Sequence, residues 1–322
     1  MRLGFDVGGT KTDAVMVAPS GEIVARGRRP TGWGPEAVVA TVIASADDLL
    51  AQAGLTRGEV ASLGVGMPGQ VAPGGARVAH AVNLGIQDLD LAAALDGVFA
   101  APVRAENDVK AAALGAYTLH PAHGGAHRAV AGATDAGGSL AYLNLGTGVA
   151  AGFVRGGTLW RGRTGTAGEV GHISIDPRGP MCRCGQRGCI EVFAGGASIA
   201  QRWGLPGELP VRDVFDAADA GDERARDLRA GLAFGVAAAI RVLLLTADVD
   251  SVILGGGVTG LGARMLDDVV SELESSAAAS PFLRSLRLAE RVDLLPAGSP
   301  AAAFGAALVG AAATEQEAVV HG

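Results

Sequence analysis

Twice along this chain an apolar strand enters a Gly-rich turn, returns as a second strand, turns again and leaves as a third. That doubled order limits the folds open to it. In the first copy Leu3 to Val7 is apolar apart from Asp6, and Gly8-Gly9-Thr10-Lys11 makes the turn. Thr12 to Val17 returns, Pro19-Ser20-Gly21 turns, and Glu22 to Arg28 follows. Apolar residues at helical spacing predict a helix from Pro35 to Ala53. Leu63 to Gly66 then reads as a short buried strand ending at Pro68-Gly69. In the second copy Leu140 to Leu145, the turn Gly146-Thr147-Gly148, Val149 to Val154, Gly156-Gly157 and Thr158 to Arg161 repeat the order. A helix from Asp222 to Thr246 and a strand from Ser251 to Leu254, running into Gly255-Gly256-Gly257, complete it. The repeat predicts a duplicated α/β fold with two lobes around a cleft.

Composition agrees with a large core and excludes some partners. The chain has 322 residues, 49% of them hydrophobic, enough for one large domain or two lobes. A net charge of −7 argues against a broad nucleic-acid surface, which needs a basic face. A phosphorylated ligand would therefore be held locally, by backbone N–H groups and a metal ion. Lys11 and Lys110 are the only lysines. The start, MRLGFDVGG, lacks a secretory pattern, so a cytoplasmic protein is expected. The apolar run from Gly231 to Val249 is interrupted by Arg241 and reads as a buried helix, with no membrane partner expected. Ala122 to Gly138 reads as an exposed loop, and the polar tail from Ala313 is expected to fray.

All three cysteines lie in one short stretch, GHISIDPRGPMCRCGQRGCIE. An odd count with Cys-x-Cys spacing favours metal binding in a reducing compartment over a disulfide framework. His172, Cys182, Cys184 and Cys189 supply the three thiolates and one imidazole of a closed tetrahedral zinc site. Glu169 and Glu191 flank it, so the metal would tether two carboxylates near one another, a pairing suited to a polyhydroxylated ligand. His120, His123 and His127 lack an acid at ligand spacing and read as solvated loop histidines.

Other motifs each have two readings. In Asp6-Val7-Gly8-Gly9-Thr10-Lys11 the glycines let backbone approach a phosphate, and Asp6 suits a hydrated Mg²⁺; the same residues also make an ordinary hairpin. Gly146-Thr147-Gly148 is the matching turn. Gly255-Gly256-Gly257 offers flat backbone to a nucleotide base or ribose, or simply a tight strand-to-helix turn. Asp108, in Glu106-Asn107-Asp108 at a strand-to-helix junction, is a general base or a helix cap.

From LGFDVGGTKT through GVGMPGQV, AVNLG, ENDVKAAALGAY, LNLGTG, AGEVGH and CRCGQRGCIE to ILGGGV, the chain resembles the ROK family (repressors, open reading frames, sugar kinases). That family lies within the actin-like, hexokinase-like ATPase superfamily. The resemblance implies a duplicated actin-like (RNase H-like) ATPase fold with a zinc-binding insert, residues 172–189, in the second lobe. It places residues 1–108 plus about 301–316 in a smaller lobe and 109–300 in a larger one. The implied activity is transfer of the γ-phosphoryl group of MgATP to the 6-hydroxyl of a hexose, glucose first. Asp108 matches the catalytic base. Asn83, Asn107, Glu169, His172 and Glu191 match residues that hydrogen-bond sugar hydroxyls, and Gly66, Pro68 and Gly69 match the segment lining the sugar pocket. His172, Cys182, Cys184 and Cys189 match the zinc ligands.

Within the same class, N-acetylglucosamine, N-acetylmannosamine, mannose or fructose are alternative substrates, and polyphosphate an alternative donor. A non-catalytic sugar-responsive regulator and a plain ATPase are alternatives of other classes. Two features depart from the family: GVAAGFV follows the second turn where more glycines are usual, and Ile86-Gln87 stand where a Trp is frequent. With the first strand at Leu3, no DNA-binding extension is expected. Members commonly form homodimers or homotetramers.

Overall fold

The computed structural model describes residues 1–72, 74–121 and 137–320. By internal contacts the chain divides into two compact units. One comprises Met1–Gly138, Gly152–Ala167 and Gly298–Gly322, the other Ser139–Ala151 and Gly168–Ala297.

The first unit is built on β1 (Arg2–Val7), β2 (Lys11–Val17), β3 (Ile23–Pro30) and β4 (Ser62–Met67). A small antiparallel sheet of β5 (Gln70–Val71), β6 (Arg77–Ala81) and β7 (Ile86–Asp90) follows, and then β8 (Val103–Asn107). The main sheet runs β3-β2-β1-β4-β8. β1 pairs antiparallel with β2, as a hairpin requires, and parallel with β4, which needs the crossover helix α1 (Pro35–Ala53). Pro35 opens α1, where a missing N–H costs nothing, and Gly54 ends it in the left-handed conformation at φ 66°. Val38, Val42, Ala46 and Leu49 of α1 pack with Leu3, Phe5, Leu63 and Val65 of the sheet in one core.

The other face of this sheet carries a helix brought from the far end of the chain. The helix α2 (Asp108–Leu119) follows β8, and the last helix, Ala301–Val320, packs on α2, β1 and β4. Glycine permits the approach. A Cβ on Gly4 or Gly64 would collide with the backbone of Ala303 or Ala306, and one on Gly115 with that of Ala301. This packing accounts for the grouping of α2 with the first unit, whereas a boundary after residue 108 was expected from sequence. The last helix continues to Val320, past the point where fraying was expected.

A second sheet has the order β11-β10-β9-β12-β13, from β9 (Ser139–Leu145), β10 (Val149–Arg155), β11 (Thr158–Trp160), β12 (Ser251–Gly255) and β13 (Val292–Leu294). β9 pairs parallel with β12, repeating the β1–β4 relation. The long helix α3 (Glu223–Ala247) makes the crossover, and Asp222 caps it by accepting the Ala225 N–H. By length and composition α3 is long and apolar enough to cross a membrane; Leu232, Val236, Ile240 and Leu243 are buried along it. It packs on Ile190–Ala194, Pro210–Asp219 and Ala263–Ala278. Both copies of the expected element order are therefore present.

Candidate functional site

In the first unit, sheet register sets acids and glycines side by side. Asp6 on β1 pairs with Gly66 on β4, and Gly66 with Glu106 on β8. A Cβ on Gly66 would lie 3.7 Å from the Asp108 Cα and 3.2 Å from the Ala111 Cβ, so glycine keeps this floor open. The β1–β2 turn is closed by a Gly8 N–H to Lys11 O bond of 2.9 Å, with Gly9, Thr10 and Lys11 exposed. Gly9 faces the AVNLG segment: a Cβ there would stand 3.2 Å from the Asn83 carbonyl oxygen. Asn83 is exposed in the Val82–Leu84 turn between β6 and β7. Gly69, at φ 111°, cannot carry a side chain because a Cβ would meet the Ala79 carbonyl at 2.7 Å. Its own carbonyl accepts the Asn107 side-chain amide at 3.5 Å.

At the β8–α2 junction the two readings of Asp108 separate. Asn107 is the cap, its Oδ1 accepting the N–H groups of Val109 and Lys110 at 3.2 and 3.3 Å. Asp108 is the first helical residue, and its Oδ1 accepts the Val109 N–H at 2.9 Å. The helix end is thus served without requiring Asp108. Burial, reinforced by the Asp108 and Asp13 carboxylates, pushes Asp6 up to about 7. A hard oxygen donor beside further negative charge fits Mg²⁺, which binds carboxylate and phosphate oxygens together.

In the second unit, the cysteine stretch is folded by its own backbone. Met181 bridges Arg187 and Ser174 bridges Cys189, while Cys182 N–H donates to Gln186 O at 2.8 Å. The ligand atoms of His172, Cys182, Cys184 and Cys189 all lie within 4.8 Å of one another. Cys182 and Cys189 are buried, Cys184 is exposed, and the buried His172 Nδ1 has no hydrogen-bond partner. Hydrogen bonds from Gln186 hold the Cys184 thiol down to about 6, while burial and the neighbouring thiols push Cys189 up to about 12. An orphaned imidazole nitrogen among crowded thiols fits a Zn²⁺ ligand set. Among the described residues this is the one such cluster. His120 closes α2 through its backbone N–H to Ala116 O, and His123 and His127 lie outside the described residues.

Glu191 lies two residues beyond Cys189, and its Oε2 accepts the Val149 N–H at 3.0 Å. It therefore supports the Gly146-Thr147-Gly148 turn, where a Cβ on Gly148 would collide with it. Glu169 is exposed, at the start of the Val170–His172 turn. Gly146 and Thr147 carbonyls accept the Gly196 and Ala197 N–H groups. Gly256, at φ 93°, sits against Leu145 backbone, so Gly255-Gly256-Gly257 and the second turn adjoin.

Two contacts were missed from sequence. Arg161 ion-pairs with Glu106 at 2.7 Å, and Lys110 Nζ donates to the Gly165 carbonyl at 2.5 Å. The rarity of lysine was the only signal for the second.

Two α/β halves of one topology, each with a glycine turn after its first strand, define the actin-like class of nucleotide-binding fold. The ROK family model matches residues 2–313, and the chain belongs to the ROK family. It is 31% identical over 294 residues to a glucokinase of Halalkalibacterium halodurans, covering 85% of this chain and 86% of that protein. It is 33% identical over 283 residues to an N-acetylmannosamine kinase of Escherichia coli, covering 86% and 89%. A ROK family glucokinase from Streptomyces griseus, solved with glucose and AMPPNP, superposes with a TM-score of 0.72 at 27% identity, covering 97% of this chain and 99% of that one.

Proposed function

We propose that this protein transfers the γ-phosphoryl group of ATP to the 6-hydroxyl of a hexose, glucose first, with Asp108 as general base. Its class is the ATP-dependent sugar kinase. The observation that supports the assignment of Asp108 lies within the first unit. Asp108 is near enough to Asp6, which leads into the Gly8–Lys11 turn, to help hold its carboxyl above the usual range, and Asn83 adjoins that turn.

Each residue has an assigned task. Asp108 takes the proton from the sugar hydroxyl as its oxygen attacks the phosphorus. Asn83, Asn107, Glu169, His172 and Glu191 hold sugar hydroxyls, and Gly66, Pro68 and Gly69 leave room for the ring. Backbone N–H groups of Gly9 and Thr10, in the turn that Gly8 closes, with Lys11 and the Gly146-Thr147-Gly148 turn, neutralise phosphate charge, and Gly255-Gly256-Gly257 receives the nucleoside. The phosphoryl transition state is loose, so positioning and charge neutralisation supply most of the rate. Asp6 would hold Mg²⁺, which supplies charge neutralisation on the phosphates. His172, Cys182, Cys184 and Cys189 would hold Zn²⁺, which supplies rigidity to the chain between Glu169 and Glu191.

Cys184→Ser is expected to lower bound zinc, read by elemental analysis, and to raise the sugar KM about tenfold as both glutamates lose their anchor. A zinc-free variant with an unchanged KM contradicts the bracing role.

N-acetylmannosamine is the second reading, supported by 33% identity to a kinase named for that substrate. A panel of glucose, mannose, fructose, N-acetylglucosamine and N-acetylmannosamine with MgATP, ranked by kcat/KM, decides. Glucose is expected at the top, and an N-acetyl sugar there overturns the choice of hexose.

A further inference from the structure

Both flanks of the Asn107–Asp108 junction are tied to one loop. Upstream, Glu106 is buried at 4% exposure. Its Oε2 accepts Arg161 Nε and Nη2, both at 2.7 Å, and its Oε1 accepts the Asn107 N–H at 3.0 Å. Downstream, Lys110 is buried at 8% exposure, and its Nζ donates to the Gly165 carbonyl at 2.5 Å. The loop is itself closed by Ala167 N–H to Arg161 O and by a Thr164–Thr166 hydroxyl bond of 3.0 Å. Gly165 lies at φ 78°, which aims its carbonyl, and a Cβ there would meet nothing within 4 Å.

We propose that Lys110 and Arg161 are positioning residues, and that the 161–167 loop is a two-point latch fixing the direction of the Asp108 carboxylate. The inference rests on the reading of Asp108 as general base. A half-buried guanidinium on a buried carboxylate is poor evidence for stability, because apolar replacements of similar volume often stabilise as well. Two guanidinium nitrogens on Oε2 and the Asn107 N–H on Oε1 instead restrict the orientation of the carboxylate. An ammonium buried against a carbonyl, three residues past the cap, is likewise a costly choice for a helix interior that could hold an apolar chain. Together the two bonds leave the first turn of α2 little freedom to rotate about the end of β8. A general base must lie within hydrogen-bond reach of the proton that it takes, so small rotations there act on turnover first.

Removing Arg161 alone leaves Glu106 buried and unpaired and risks the fold, so the test uses the other point of the latch. Lys110→Met keeps the side-chain length and removes the charge. Gly165→Ala changes only the backbone conformation that presents the carbonyl. Each variant, their double and Lys110→Arg are compared for kcat, sugar KM, thermal midpoint and zinc content, with Asp108→Asn in parallel. Lys110→Met and Gly165→Ala are each expected to lower kcat about 10- to 100-fold, the scale of a misplaced reacting group, with KM changed less than about threefold. For Lys110→Met the thermal midpoint is expected to hold or rise. The double is expected to be no worse than the poorer single, and Lys110→Arg to recover most of the rate. Normal kcat in Lys110→Met, multiplying losses in the double, or a kcat loss tracked by a falling thermal midpoint overturns the latch. If those appear while Asp108→Asn is inactive, only the latch fails. An active Asp108→Asn removes the base assignment and the latch with it.

Discussion

Replacing Asp108 by Asn is expected to lower kcat about 10²- to 10⁴-fold while leaving the sugar KM within a few fold of wild type. The split follows from the junction. Asn107 supplies the cap bonds to Val109 and Lys110, so the helix start survives the change. The amide keeps the shape and one acceptor oxygen of the carboxylate but cannot take a proton at neutral pH. A second consequence is electrostatic. Asp108 is one of the carboxylates holding Asp6 above its ordinary range, so Asp6 should titrate lower in the variant. Steady-state kinetics with circular dichroism as a fold control checks the first claim, and near-normal turnover would remove Asp108 from its role.

Asp6→Asn is expected to abolish turnover yet stabilise the ligand-free protein. Asp6 in the fold titrates at about 7, above its ordinary 3.8, chiefly through burial. A raised folded value means that folding favours the protonated acid. That contribution is complete below pH about 4 and is lost as pH rises through about 7. At pH 8 the ionised carboxylate therefore weighs against the fold by about 4 kcal/mol, at about 1.4 kcal/mol per pK unit. Asn carries no such charge, so its thermal midpoint should exceed wild type by several degrees at pH 8 and match it near pH 4. Without Asp6 to hold Mg²⁺, turnover should fall at least about 100-fold, the scale for losing one charge-stabilising group. Thermal melts across pH in ligand-free buffer check the sign, and equal melting of the two proteins at pH 8 contradicts it.

The sequence carried the fold where local chemistry determines it. Strands β1, β2, β9 and β10 are set by apolar runs broken at glycine turns, and α1 by helical spacing, with Pro35 and Gly54 marking its ends. The cluster of His172, Cys182, Cys184 and Cys189 was legible because cysteine is rare here and its spacing is narrow. The three-stranded sheet that places Asn83 was not, since β5 has only two residues and no period to detect. Nor was the grouping of α2 with the first unit, which depends on Gly4, Gly64 and Gly115 meeting a helix about 200 or more residues away, a pairing that spacing alone does not encode. The contacts of Glu106 with Arg161 and of Lys110 with Gly165 span 55 residues each, and nothing local marks them.

Phosphorus NMR of the purified protein with MgATP and glucose is the most direct trial of a sugar kinase that uses Asp108. ADP and a hexose 6-phosphate should appear in equal amounts, only when sugar is present, and neither should form with Asp108→Asn. Inorganic phosphate in place of the sugar phosphate, formed at the same rate without sugar, would show hydrolysis and contradict it.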